Sequence, residues 1–152
     1  MKLYVSHADR PSPRSGAGWW WETEYGQWRL VAELEAMRRS FPHFRTFRTQ
    51  GVLCWEGVLA SAVTPGKRYC VRMTYPHGFP DETPIPTIEA PRLHPDAPHL
   101  LDGNRPCLFR DGGREGYDPA RTTAATLVAW TALWIHAYET WLETGRWPGR
   151  AA

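Results

Sequence analysis

Residues 68–75, RYCVRMTY, decide the fold class because their side chains alternate strictly in character. The odd-numbered positions carry Tyr, Val, Met and Tyr, whereas the even-numbered positions between them carry Cys, Arg and Thr. Successive side chains of a β-strand point to opposite faces of the sheet. The pattern therefore predicts a strand with one buried face and one partly exposed face.

Turn residues separate this strand from three others. Residues 44–50 and 52–62 predict two strands joined at Gly51, and the turn sequence TPGK at 64–67 precedes the third. Residues 87–90 predict a fourth strand, after a run that holds four prolines. Short connections of this kind favour an antiparallel meander with one face covered by a helix.

Two helical patterns flank the strands. The first, over residues 28–40, has an apolar stripe from which Arg29 and Glu33 are excluded. The second begins at Pro119 and carries large apolar side chains at helical spacing. Its residues 122–138 contain no Asp, Glu, Lys or Arg, but they fall short of the roughly 20 apolar residues of a membrane span, so they predict a buried helix. The predicted fold is therefore α+β: N-terminal helix, four-stranded antiparallel meander, long loop and long C-terminal helix.

Length and charge limit the classes of function. The 152 residues predict one domain over residues 19–152, preceded by a flexible arm over 1–18 that is rich in Ser, Pro, Gly and Arg. The formal net charge of +2 supports neither a nucleic-acid binder nor a polybasic membrane anchor. Three cysteines do not make a disulfide framework, and the first residues lack the apolar run of a secretory signal, so the cytoplasm is the predicted compartment.

One of the three cysteines is placed differently from the others. Cys54 and Cys70 lie within predicted strands, where a cysteine usually packs as a small apolar residue. Cys107 lies in the long loop over 91–119, and two neighbouring arginines favour its nucleophilic thiolate form. A buried loop cysteine without chemistry is the alternative. There is no CxxC pair to indicate a zinc site, and no cofactor motif is present.

The chain resembles the ubiquitin-conjugating (E2) enzyme family over about residues 28–149, and its bacterial branch most of all. The resemblance rests on several motifs in a fixed order. They are WEG at 55–57, YPHGFP at 75–80, Pro98-His99, Cys107-Leu108-Phe109, Tyr117-Asp118-Pro119, and YETWLETGRWPG at 138–149.

The resemblance implies a UBC-like fold and a catalytic Cys107. That cysteine would carry the C-terminus of a ubiquitin-like protein, or of a cGAS-like nucleotidyltransferase, as a thioester. An adenylating E1-like enzyme would supply the acyl group, and an amine of an acceptor protein would receive it. Bacterial relatives occur in CBASS anti-phage systems and ubiquitin-like modification operons. No cofactor, nucleic acid or membrane is implied for this chain, since ATP belongs to the activating partner.

Two departures from the family pattern concern the residues around the cysteine. Eukaryotic members place the Asn of a His-Pro-Asn motif eight residues before it, where this chain has His99 after Pro98. We hypothesise that the His99 imidazole stabilises the oxyanion instead; a purely structural histidine is the alternative. Many members also place an Asp two residues after the cysteine, where Phe109 stands here. Asp111 and Asp118 are the nearest acids that could support an acceptor lysine.

Two other classes of function remain open at this point. The chain could be a non-catalytic E2 variant that only binds proteins, which the presence of Cys107 argues against. It could also be an unrelated α+β interaction domain that binds through Trp-rich surfaces. The tryptophans concerned are Trp19 to Trp21, Trp141 and Trp147.

Overall fold

The computed structural model of the protein describes residues 19–109 and 116–149. The predicted arm over 1–18 lies outside these residues, and the predicted single domain over 19–152 stays a prediction. The elements, in chain order, are a 3-10 helix Trp20–Glu22, α1 Glu24–Ser40, β1 Arg45–Thr49, β2 Val52–Ala60, β3 Arg68–Thr74, β4 Ile85–Ala90, β5 Leu100–Leu101, β6 Arg105–Pro106 and α2 Ala124–Thr144.

The first four strands form one antiparallel sheet in the order β1-β2-β3-β4. The predicted α+β meander between two helices is thereby confirmed. The alternation on β3 also appears in the packing, because Tyr69, Val71 and Met73 have 0 % of their surface exposed. They contribute to a core that also contains the buried side of α2.

The N-terminal helix starts earlier than the sequence pattern predicted, at Glu24 instead of Trp28. Thr23 caps it, because its hydroxyl accepts a hydrogen bond from the Gly26 N–H at 2.9 Å. Trp20, the first residue of the 3-10 helix that precedes this cap, is buried against Phe79. A Cβ at Gly26 would lie 1.5 Å from the carbonyl oxygen of Trp20, so only glycine fits where the 3-10 helix meets α1.

The exclusion of Arg29 and Glu33 from the buried stripe of α1 was wrong. Both side chains are buried, and the Arg29 Nε lies 3.4 Å from the Glu33 carboxylate. The Arg29 guanidinium donates hydrogen bonds to the carbonyls of Pro119 and Thr122, and Glu33 accepts one from the Ala124 N–H at 2.8 Å. These partners lie about ninety residues away along the chain, at the entrance to α2.

The second helix begins at Ala124, so the prediction that it begins at Pro119 was also wrong. Residues 119–121 form a turn, closed by a hydrogen bond from the Arg121 N–H to the Asp118 carbonyl at 3.0 Å. The Thr123 side chain makes no cap bond, and the Glu33 carboxylate satisfies the free Ala124 N–H instead. Among the described residues, no helix is long and apolar enough to cross a membrane.

We expect Glu33 to make stability depend on pH. Burial raises the pKa of the Glu33 carboxyl, against the opposing effects of the Ala124 N–H and of Arg29. An acid whose folded pKa is raised contributes stability below its unfolded value of 4.5 and loses that contribution as the pH rises. The free energy of unfolding of the native chain, relative to that of Glu33→Gln, should therefore fall between pH 4.5 and neutrality.

Urea unfolding followed by tryptophan fluorescence measures this difference. Glu35→Gln, on the exposed side of α1, is the matched control. A difference between the native chain and Glu33→Gln that rises with pH would contradict the assigned burial of this carboxyl.

Candidate active site

Cys107 directly follows β6, in the loop where the sequence placed it. Its backbone N–H donates a hydrogen bond to the carbonyl of His99 at 2.8 Å. Its side chain is half-buried, and the Sγ donates to the carbonyl of Phe109 at 3.1 Å. The main chain and the sulfur of Cys107 are therefore both held by local bonds to backbone carbonyls, and the residue as a whole is partly exposed.

A small hairpin that the sequence analysis missed positions this cysteine. Leu101 of β5 pairs with Arg105 of β6. The carbonyl of Asn104, in the turn between these strands, accepts a hydrogen bond from the Ile88 N–H of β4 at 3.0 Å. The hairpin is thus attached to the main sheet. An Asp-Gly pair at the turn is a hairpin signal that could have located it, and Gly103 has the positive φ of +76° that such turns require.

His99 is bound to the site through its backbone. Its carbonyl accepts two hydrogen bonds, one from the Cys107 N–H and one from the Trp134 Nε1–H of α2 at 2.9 Å. Its φ of +56° is uncommon for a residue other than glycine, and such residues cluster at functional sites. Pro98 precedes it and is half-buried. The structure therefore brings together the backbones of His99 and Cys107.

The imidazole of His99 packs against a tryptophan that follows α2. Its ring centroid lies 5.0 Å from that of Trp147, with the planes inclined at 57°. Trp147 in turn packs on Trp134, at 5.6 Å between centroids. Sequence reasoning placed Trp134 on the apolar stripe of the helix and Trp147 in the tail motif or on a Trp-rich binding surface, and it missed the contact of both with His99.

A groove opens beside Cys107. Residues 83–86, before and within the start of β4, form one wall, and Leu101 with residues 105–109 forms the other. Its volume is about 120 Å³, and its lining is mainly Pro, Leu, Ile and Phe side chains. Arg105 is the charged residue among the described residues that line it. The groove is therefore mainly apolar, with a single cationic side chain among the described residues that line it.

The two predicted supporting acids have different outcomes. Asp111 lies outside the described residues. The Asp118 carboxylate accepts a hydrogen bond from the Ala120 N–H at 2.9 Å, so it stabilises the turn before α2. Within the described chain, no hydrogen bond joins Asp118 to Cys107. Phe109, at the position of the family's usual Asp, packs edge-on against Trp130 at 5.8 Å between centroids.

Comparison with protein families bears directly on this site. The family described as Type II CBASS E2 protein matches residues 33–152, which include Cys107, His99 and most of the described elements. This chain belongs to that family. A comparison with curated proteins found no match. The resemblance to E2 enzymes is thereby confirmed at the level of the family.

The other two thiols of this CBASS E2 protein lie in the sheet, as predicted. Cys54 is on β2 and Cys70 on β3, and both are unpaired. Burial raises the pKa of each thiol. The nucleophilic thiolate is therefore disfavoured at both positions. In the described ranges, 19–109 and 116–149, no three His, Cys, Asp or Glu side chains are grouped so that they could hold a metal ion.

We expect iodoacetamide to modify Cys107 first. The thiolate is the reactive form, and burial disfavours it at Cys54 and Cys70. Peptide mass spectrometry of a time course at pH 8 would give the three rates, with the Cys107→Ser variant as control. Modification of Cys70 as fast as Cys107 would contradict this assignment.

Proposed function

We propose that this CBASS E2 protein is an E2-type conjugating enzyme that carries another polypeptide as a thioester on Cys107. The observation that carries the proposal is a half-buried cysteine that lines a mainly apolar groove. Family membership over residues 33–152 supports it. A carrier thiol must accept the extended C-terminal tail of a second protein, and a groove next to the sulfur provides room for such a tail.

The proposed reaction has two acyl transfers. In the first, the Cys107 thiolate attacks the activated carbonyl, a carbon–sulfur bond forms, and the group that held the acyl on the activating enzyme leaves with the bonding electrons. In the second, the lone pair of an acceptor amine attacks the thioester carbonyl and a carbon–nitrogen bond forms. The carbon–sulfur bond then breaks, Cys107 leaves as a thiolate, and the amine proton passes to solvent.

The proposed partners follow from this chemistry. An adenylating E1-like enzyme spends ATP to activate the carried C-terminus, so this chain needs no cofactor of its own. The carried protein is a ubiquitin-like protein or a cGAS-like nucleotidyltransferase, and a cytoplasmic acceptor protein supplies the amine. Antiviral defence is the proposed setting, since the family is that of type II CBASS. Phe109, where relatives have an acid, leaves the acceptor open to amines other than lysine.

We expect Cys107→Ala to abolish loading. The chain is incubated with ATP and with the adenylating enzyme and nucleotidyltransferase of a type II CBASS operon, and products are separated without reductant. The native chain should acquire an adduct that dithiothreitol removes. Cys54→Ala, which removes a buried thiol on the sheet, should still be loaded and is the matched control. Equal loading of Cys107→Ala and the native chain would refute the proposal.

We further propose that the His99 imidazole donates to the oxyanion formed when the amine attacks. In the described residues, no hydrogen bond engages either nitrogen of this ring. One donor of this kind is typically worth about 2.7–4 kcal/mol of transition-state stabilisation. The main chain of His99 is bonded to that of Cys107, and a ring whose nitrogens make no hydrogen bond to the described residues is suited to supply this donor.

Two substitutions separate this role from the backbone role of His99. His99→Gly keeps the positive φ but has no donor, so it should load normally and lose about 100-fold or more in aminolysis rate. His99→Asn tolerates positive φ and supplies an amide N–H, so it should keep most of the rate. Single-turnover discharge of the thioester to a free amine measures both. Normal discharge by His99→Gly would remove the imidazole from the mechanism.

A further inference from the structure

We infer that Trp147 is a positioning residue, which holds the His99 imidazole in place for the transfer from Cys107. The inference rests on the proposed function of this site. It adds a residue that lies outside the loop of the nucleophile, on the segment that follows α2.

The hydrogen bonds to the backbone of His99 do not determine the orientation of its imidazole ring. The His99 carbonyl is bonded to the Cys107 N–H and to the Trp134 indole, which together locate the main chain. Neither bond restricts rotation of the side chain about its own bonds. A second contact is needed to orient the imidazole.

Trp147 makes that contact. Its indole lies 5.0 Å from the imidazole, between centroids, and 5.6 Å from the indole of Trp134. Both distances lie within the range of favourable aromatic pairs. Trp134 therefore binds the carbonyl of His99 and also packs against the indole of Trp147, which contacts the His99 imidazole. The two tryptophans hold His99 at two points, its carbonyl and its side chain.

The chain after α2 is built to return Trp147 to the site. Gly145 ends the helix with a φ of +73°, and its N–H donates to the Trp141 carbonyl at 2.7 Å. The Thr144 hydroxyl accepts a hydrogen bond from the Arg146 N–H at 3.1 Å. These bonds define the direction of the segment, and Trp147 follows them directly.

The contact leaves the reactive atoms of the ring available. Aromatic packing engages the carbon framework of the imidazole, and no hydrogen bond in the described chain uses its nitrogens. Trp147 can therefore orient the ring without competing for the N–H that the oxyanion needs. A hydrogen-bonding residue in this position would compete for that N–H.

The test is single-turnover discharge of the loaded chain to a free amine. Trp147→Ala should load as the native chain does and discharge about tenfold more slowly, a part of the roughly 100-fold cost of removing a donor. Trp147→Phe should restore most of the rate, since it keeps an aromatic ring. Trp141→Ala is the matched control, because Trp141 packs against the His94 ring at 5.3 Å and not against His99.

Two further measurements distinguish positioning from general destabilisation. In the His99→Gly background, Trp147→Ala should cause no additional slowing, because both changes remove the same interaction. In the native chain, the imidazole proton resonance of His99 should shift in Trp147→Ala, which loses the neighbouring indole, and not in Trp141→Ala. Additive slowing, or an unshifted resonance, would overturn the inference.

Failure of the proposed function and failure of the role of Trp147 give different results. A native chain that acquires no adduct refutes the proposed function and this inference with it. A native chain that loads, with a Trp147→Ala variant that discharges at the native rate, refutes only the role of Trp147. A Trp147→Ala variant that cannot be loaded would contradict a role confined to the transfer step.

Discussion

The buried ion pair of Arg29 and Glu33 is the interaction on which the rest of the structure depends. It lies on α1, yet its hydrogen bonds go to the carbonyls and the N–H that lead into α2. A buried ion pair is costly unless further hydrogen bonds satisfy both groups, and here those bonds are made by the backbone. The pair thereby defines where α2 begins and how it lies against α1.

The candidate site takes its geometry from α2. Trp134 of this helix donates to the carbonyl of His99, and Trp130 packs against Phe109, two residues after Cys107. The segment that follows the helix brings Trp147 onto the His99 ring. The position of the thiol is therefore a property of the backbone and of three tryptophans, not of a charged side-chain network.

The strands and the order of the elements could be predicted from local patterns in the sequence. Alternation with period two predicted the buried face of β3, and turn residues predicted the meander. The observed strands and helices begin or end a few residues from the predicted positions.

The burial of Arg29 and Glu33 was missed because their partners lie about ninety residues away along the chain. Those partners are backbone groups, which the identity of the residues does not reveal. The same holds for the backbone of His99, whose carbonyl bonds and positive φ no local pattern indicated. Cys107 was proposed as the nucleophile from the order of motifs, since its spacing alone left its role open.

The central claim is that the sulfur of Cys107 is the atom to which the carried polypeptide is attached. Tandem mass spectrometry of the Cys107→Ser variant after incubation with ATP, the adenylating enzyme and the nucleotidyltransferase tests it most directly, because the oxyester that forms survives digestion. The account predicts that the C-terminal residue of the carried protein is found esterified at position 107. An adduct mapped to a lysine, or to another cysteine or serine of the chain, would contradict it.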